Sequence, residues 1–276
     1  RQRKDVECVR NAYVQICKKG LESHTNVANY LISSFVECKS MLDACYIFER
    51  FQGCRNERSW TSLMQECIEC GNPTHSLMLF HKNMQENWCI RPSKYTFVAL
   101  LKACSKLKCI TEGQTLHMEI ILGGIEMDPF VGNTMIDMYV KCNAVVEARE
   151  VLDAMKTCDI VSWNSLLVGY CEVGLTGEAL EFLEWMQSQG TCPDHITYTC
   201  CIRACGSRGS ITNGQHLHTD VIKKGFEQDD IVSSTLVDMY AKCGALEESH
   251  YLFVQLSVHD TISCNSMIVG CVEQGH

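Results

Sequence analysis

The sequence predicts an all-α fold, an α-solenoid of stacked helix pairs, and three observations predict it. A block of the chain recurs 101 residues further on. Apolar residues fall at helical spacing between glycine stops. The composition is 46% apolar and 21% charged with only 4 prolines, which argues against a disordered tail and against a loop-rich sandwich.

The recurrence is read directly. Asp137-Met138-Tyr139-Val140-Lys141-Cys142 returns as Asp238-Met239-Tyr240-Ala241-Lys242-Cys243, Lys102-Ala103-Cys104 as Arg203-Ala204-Cys205, and Gly113-Gln114 as Gly214-Gln215. Pro92 matches Pro193, and Ile160-Val161-Ser162-Trp163-Asn164-Ser165 matches Thr261-Ile262-Ser263-Cys264-Asn265-Ser266. A looser, earlier copy sets Asn29 opposite Asn133. Each block divides into units of 35, 31 and 35 residues, two helices apiece. In residues 160–194, Leu166, Leu167, Tyr170 and Val173 form a first apolar stripe and Gly174 stops it. Ala179, Leu180, Phe182, Leu183 and Met186 form a second, which ends before Gly190 to Pro193. Neither short helix can bury its apolar face alone, so neighbouring units must stack into a superhelix with a long concave surface, the expected place of function.

Charge and cysteine content narrow the class. With 24 basic and 33 acidic residues the formal charge is −9, the wrong sign for a protein that holds nucleic acid mainly by neutralising phosphates. The 20 cysteines sit in a long chain that opens Arg1-Gln2-Arg3-Lys4 rather than with an apolar secretory segment. Packed thiols in a reducing compartment are therefore expected, not a disulfide scaffold. No run of 18 apolar residues suggests a transmembrane helix, and a soluble chain is expected.

The units closely resemble pentatricopeptide repeats. Carrying the resemblance are Trp163-Asn164-Ser165-Leu166-Leu167-Val168-Gly169-Tyr170 with Glu178-Ala179-Leu180-Glu181-Phe182-Leu183 and Met186-Gln187, Lys102-Ala103-Cys104 with Leu116-His117, and Val131-Gly132-Asn133 through Asp137-Met138-Tyr139. The three unit types follow the long, short and standard order of the plant PLS class. No unit carries the Trp-Leu-Gly-Tyr signature of tetratricopeptide repeats. The family register gives a partial long unit over 1–24, then 25–56 (short), 57–93 (standard), 94–128 (long), 129–159 (short), 160–194 (standard), 195–229 (long), 230–260 (short) and a truncated standard unit over 261–276. Both ends cut through a repeat, so a piece of a longer array is expected.

The resemblance implies a right-handed superhelix that binds single-stranded RNA, one base per unit, with the fifth and last residues of a unit at the base edge. The fifth residues are Asn29, Thr61, Val98, Asn133, Asn164, Thr199, Ser234 and Asn265; the last are Asn56, Ser93, Asp128, Asp159, Asp194, Asp229 and Asp260. Hydrogen-bond inventories suit them to that work. Uracil and guanine present an imino N–H that an acceptor-only Asp matches, whereas cytosine and adenine present a bare ring nitrogen to which an Asn amide donates. In the family, Asn at the fifth position goes with pyrimidines and Ser or Thr with purines. With the chain N-terminus toward the RNA 5′ end, the expected target is 5′-CNNUUGGY-3′. Thr61/Ser93 and Val98/Asp128 match no clear code. The second residues Tyr95, Phe130, Val161, Ile196, Ile231 and Ile262 would stack on base faces; Asn26 and Arg58 depart from that pattern. Ordinary alternatives stand beside each role: helix-start packing for the apolar set, a solvated face for the fifth residues, and N-capping for the terminal Asp residues.

The resemblance further implies the targeting part of an organellar C-to-U RNA-editing or RNA-processing factor, in a mitochondrion or chloroplast. Any deaminase domain would lie C-terminal to this chain, with editing cofactor proteins as partners and neither DNA nor membrane among them. Helical solenoids also bind peptides in the same groove, so a protein-interaction scaffold is the competing reading. It would call for larger apolar or paired charged anchors on the ridge that carries Asn, Thr, Ser and Asp here.

Two motifs point elsewhere. Cys67-Ile68-Glu69-Cys70 is a CxxC, but no second pair of ligands stands at a usable spacing. Packing is the expected role of both cysteines, with no metal and no cofactor. His117-Met118-Glu119 has the HxE form of zinc deaminases, yet no PCxxC follows and His117 matches His218 in the repeat. No phosphate loop, nucleophile elbow or metalloprotease motif occurs, so the chain is expected not to be an enzyme.

Overall fold

A computed structural model describes residues 2–21, 24–50, 57–85 and 91–273. Among these the regular structure is helical, in sixteen helices without strands. They are α1 (Gln2–Lys18), α2 (Thr25–Glu37), α3 (Met41–Arg50), α4 (Glu57–Glu69), α5 (Pro73–Gln85), α6 (Lys94–Leu107), α7 (Ile110–Leu122) and α8 (Pro129–Lys141). Then follow α9 (Val145–Ala154), α10 (Ile160–Val173), α11 (Thr176–Ser188), α12 (His195–Arg208), α13 (Ile211–Lys224), α14 (Asp230–Lys242), α15 (Leu246–Gln255) and α16 (Thr261–Glu273).

The chain forms two compact units, Arg1–Cys142 and Asn143–His276. In the first, α1 rests on α2, and α2, α4, α6 and α8 pack successively to make one layer. The helices between them, α3, α5 and α7, make the second layer, each packed on the first-layer helix before it and the one after it. The second unit repeats the scheme: α10, α12, α14 and α16 pack in series, and α11, α13 and α15 lie against them.

Adjacent apolar pairs near the middle of α4, α6, α8, α10, α12 and α14 fill the space between layers. Leu63/Met64, Leu100/Leu101, Met135/Ile136, Leu166/Leu167, Cys201/Ile202 and Leu236/Val237 are all buried. Two neighbouring positions can both be buried because a first-layer helix touches the helices before and after it and also the second layer. A single apolar stripe suffices for a surface helix; these helices need a wider one.

Glycine acts in two ways. Gly174 ends α10 at φ 80°, and the Leu175 N–H then bonds back to the Tyr170 carbonyl at 2.9 Å, which satisfies an acceptor the helix end leaves open. Gly113 and Gly214 lie in second-layer helices where a Cβ would collide with the thioethers of Met138 and Met239. The recurrence of glycine at both places thus answers to the close approach of a methionine. No described helix is long and apolar enough to cross a membrane. Cys67, Cys104, Cys201 and Cys205 are buried thiols, and burial pushes Cys104 up to about 12.

Candidate functional site

The first turns of the first-layer helices carry most of the residues singled out in the sequence. Asp194 is the N-cap of α12, and its Oδ1 accepts from the Thr197 N–H at 2.9 Å. The Asn164 side-chain amide donates to the same oxygen at 3.1 Å. Thr197 Oγ1 lies 2.8 Å from Asp194 Oδ1 and 2.7 Å from Asn164 Oδ1, between two acceptors. A fifth residue, a last residue and the third residue of the following unit are thereby locked together, and Asn164 is buried. Burial alone would raise the Asp194 carboxyl. The Thr197 N–H and hydroxyl, the Asn164 amide and His195 outweigh it and hold the group below its ordinary value.

Other positions vary this arrangement. Asp159 caps α10 through a reciprocal capping box with Ser162, and Asn133 is half-buried. Asn29 Oδ1 accepts from the Ser59 hydroxyl at 2.8 Å. Asn56 lies outside the described residues. Thr61 is buried and shares a 2.7 Å hydrogen bond with Thr96, while Ser93 caps α6. Into this cluster comes the carboxylate of Glu57, whose Oε1 lies 3.0 Å from the Thr61 hydroxyl and 3.2 Å from that of Thr96, and accepts from the Ser93 hydroxyl. Glu57 Oε1 therefore stands against the fifth-residue and third-residue side chains, as Asp194 Oδ1 does further along the chain.

Val98 is buried and offers no polar edge. Asp128 caps α8 and accepts from Lys94 Nζ at 2.9 Å, and that ion pair holds its carboxyl below the usual range. Asp229 caps α14, while the Thr199 hydroxyl donates to its own helix at the His195 carbonyl, 2.7 Å away. Ser234 is buried and its hydroxyl lies 3.1 Å from the Ile231 carbonyl; Asp260 accepts from the Ser263 N–H at 2.7 Å. The Ser263 N–H and hydroxyl hold Asp260 below its ordinary value. Asn265 is exposed.

Two residues after each of these caps the side chain faces outward. Tyr95, Phe130, Val161, Ile196, Ile231 and Ile262 are between 47% and 63% exposed, too open for core packing. Their neighbours Thr96, Val131, Ser162, Thr197, Val232 and Ser263 are fully buried. Where the third residue carries a hydroxyl, as at Ser59, Thr96 and Thr197, it is the partner that sequence reasoning missed. The signal was present, because Ser or Thr recurs two places into most units, but their hydroxyls find the preceding unit only once helices stack.

The two distracting motifs separate in space. Cys67 is buried in α4, whereas Cys70 stands exposed just beyond it and its thiol donates to Glu66 at 3.1 Å. His117 Nδ1 is 2.8 Å from the Tyr139 hydroxyl, and His218 makes the same contact with Tyr240 at 3.0 Å. The shared histidine is a repeat-packing residue.

Helix hairpins of recurring length, most of them followed by a polar cap that opens the next, define a helical-repeat protein of the solenoid class. Within that class the chain belongs to the pentatricopeptide repeat family. The profile of the PPR repeat family matches residues 158–207, and that of the PPR repeat matches residues 133–160. A chloroplastic pentatricopeptide repeat-containing protein of Arabidopsis thaliana is 29% identical over 275 residues, 100% of this chain and 44% of the relative. Another protein so described from the same plant is 33% identical, over 94% of this chain and 42% of its own length. The chain spans 29% to 44% of the length of these and six further Arabidopsis relatives. Among solved structures, the pentatricopeptide repeat protein PPR10 from maize superposes with a TM-score of 0.58 at 17% identity, covering 98% of this chain and 44% of that one. PPR10 in complex with an 18-nt psaJ RNA element gives a TM-score of 0.56 at 17% identity, with coverage of 97% and 46%.

Proposed function

We propose that this chain binds a specific single-stranded RNA, one base per repeat, as the targeting part of an organellar RNA-editing or RNA-processing factor. The carrying observation is the Asn164–Asp194–Thr197 cluster beside half-exposed Val161. It combines a polar edge held rigid by hydrogen bonds with an apolar surface for a base face, the two elements single-strand recognition requires. Support also comes from relatives of the same repeat family, one of them named chloroplastic, and from the RNA bound by PPR10. The recurring 35-, 31- and 35-residue units favour the PLS class and hence editing.

The Thr61/Ser93 unit gains a reading from Glu57. Its carboxylate supplies the acceptor that Asp supplies elsewhere, so this unit prefers a keto base with an imino N–H. At Val98/Asp128 the Lys94 ammonium already holds the carboxylate, which leaves that base poorly specified. The target is then 5′-CKNUUGGY-3′, with K for G or U.

Gel-shift competition tests it with that RNA, the variant carrying A or C at the second place, and a scrambled control. Preferential binding of the first is expected. Equal binding of all three would overturn the base assignment, and no binding of any would favour the scaffold reading.

A further inference from the structure

The fold assembles a second constellation in the Arg1–Cys142 unit. Cys45 on α3, Cys67 on α4 and His75 near the start of α5 bring their ligand atoms within 4.8 Å of one another. Cys45 Sγ stands 3.3 Å from His75 Nε2. Cys67 is buried, while Cys45 and His75 are half-buried, so water reaches one side.

We propose that Cys45, Cys67 and His75 form a zinc site, with a water molecule in the fourth position. Bonds of about 2.3 Å to sulfur and about 2.0 Å to nitrogen, set tetrahedrally, imply S···N and S···S edges of roughly 3.6–3.8 Å. The three atoms lie close enough to reach those edges by small side-chain rotations, with no movement of a helix. Two thiolates and an imidazole suit Zn²⁺, a borderline-soft ion, and do not suit Mg²⁺ or Ca²⁺, which take oxygen ligands. Binding releases the thiol protons to solvent and leaves zinc as Zn²⁺, so no oxidant or reductant is needed. The ligands come from three consecutive helices, so the ion would staple α3, α4 and α5 together. Spacings of 22 and 8 residues between the ligands explain why no sequence motif announced the site. The nearby CxxC was misleading because it shares only Cys67 with the cluster.

The test uses the full 276-residue chain, metal-free and fully reduced, titrated with Co²⁺ and then Zn²⁺. One equivalent of Co²⁺ is expected to bind with tetrahedral d–d bands and thiolate-to-cobalt charge transfer, to be displaced by Zn²⁺, and to raise the melting temperature. Cys45→Ser and His75→Gln, each checked for native helicity, should lose that spectrum, and Cys70→Ser should keep it. His75→Gln alters only a half-buried side chain, so the test survives if a cysteine variant unfolds. The proposal falls if the reduced protein binds no ion, or if the spectrum is unchanged in Cys45→Ser and His75→Gln. Equal loss in Cys70→Ser would also overturn it, because the binding would then be scattered over surface thiols.

Discussion

A single carboxylate in this repeat has two possible tasks. Asp194 Oδ1 is committed to the α12 N-terminus, to Thr197 and to Asn164. If the residue only caps, Asp194→Asn should be nearly silent, because Asn caps about as well as Asp. If it also reads a base, the substitution exchanges a pure acceptor for a group that can donate. The preference at that nucleotide should then move from U toward C by about 1–3 kcal/mol, by analogy with other edge-reading contacts. Relative affinities of both proteins for RNAs differing only at that base, at one salt concentration, check it; an unchanged ratio would leave Asp194 a cap alone. A pH consequence follows from the same hydrogen bonds. The native carboxyl titrates below the ordinary 3.8, so the stability it contributes is complete above that range. It is lost as pH falls below 3.8 through the depressed native value. Urea melts at neutral pH and at pH near 3 should differ less for Asp194→Asn than for the parent.

At the scale of the element, helix starts depend on a side chain and helix contacts on the absence of one. Ser93, Asp128, Asp159, Asp194 and Asp229 each accept a backbone N–H that the first turn cannot satisfy internally. Gly214 lets α13 approach the Met239 thioether. Gly214→Ala should force buried Met239 to repack and cost about 1–3 kcal/mol. Gly177, in the first turn of α11, faces open space, so Gly177→Ala should be neutral or stabilising by up to about 1 kcal/mol. Denaturant midpoints for the two variants should move in opposite directions, or only the first should move. If both moved down together, the close approach at Gly214 would not be the cause.

Across the whole molecule, the formal charge of −9 sets how RNA binding should respond to salt. Recognition through base edges and base faces needs few phosphate contacts. With roughly three cations engaged, the slope of log K against log salt should be about −2, since a single strand contributes about −0.7 per contact. Titrations of the matched RNA across a salt series measure it, and a slope several times steeper would mean that phosphate contacts dominate binding.

Helicity, hairpin rhythm and family were legible in the residues themselves, because they depend on local chemistry: the 3.6-residue apolar period, glycine stops such as Gly174, and Asp or Ser before a helix. The candidate ridge was legible as a set of positions, since Asn164 and Asp194 recur in register, and the exposure of Val161 and its counterparts follows from lying next to a buried third residue. What each position can offer was not legible. The pairing of Thr61 with Thr96, the hydrogen bond of Ser93 to the Glu57 carboxylate, and the claim of Lys94 on Asp128 all arise between residues more than thirty places apart in the chain. The meeting of Cys45, Cys67 and His75 arises the same way, across three helices. A sequence pattern reports which face of a helix is apolar, but it does not report which side chain of the next helix will stand against that face. That choice belongs to stacking, where the approach of two backbones decides which polar atoms come within hydrogen-bond reach and which are left to face a ligand.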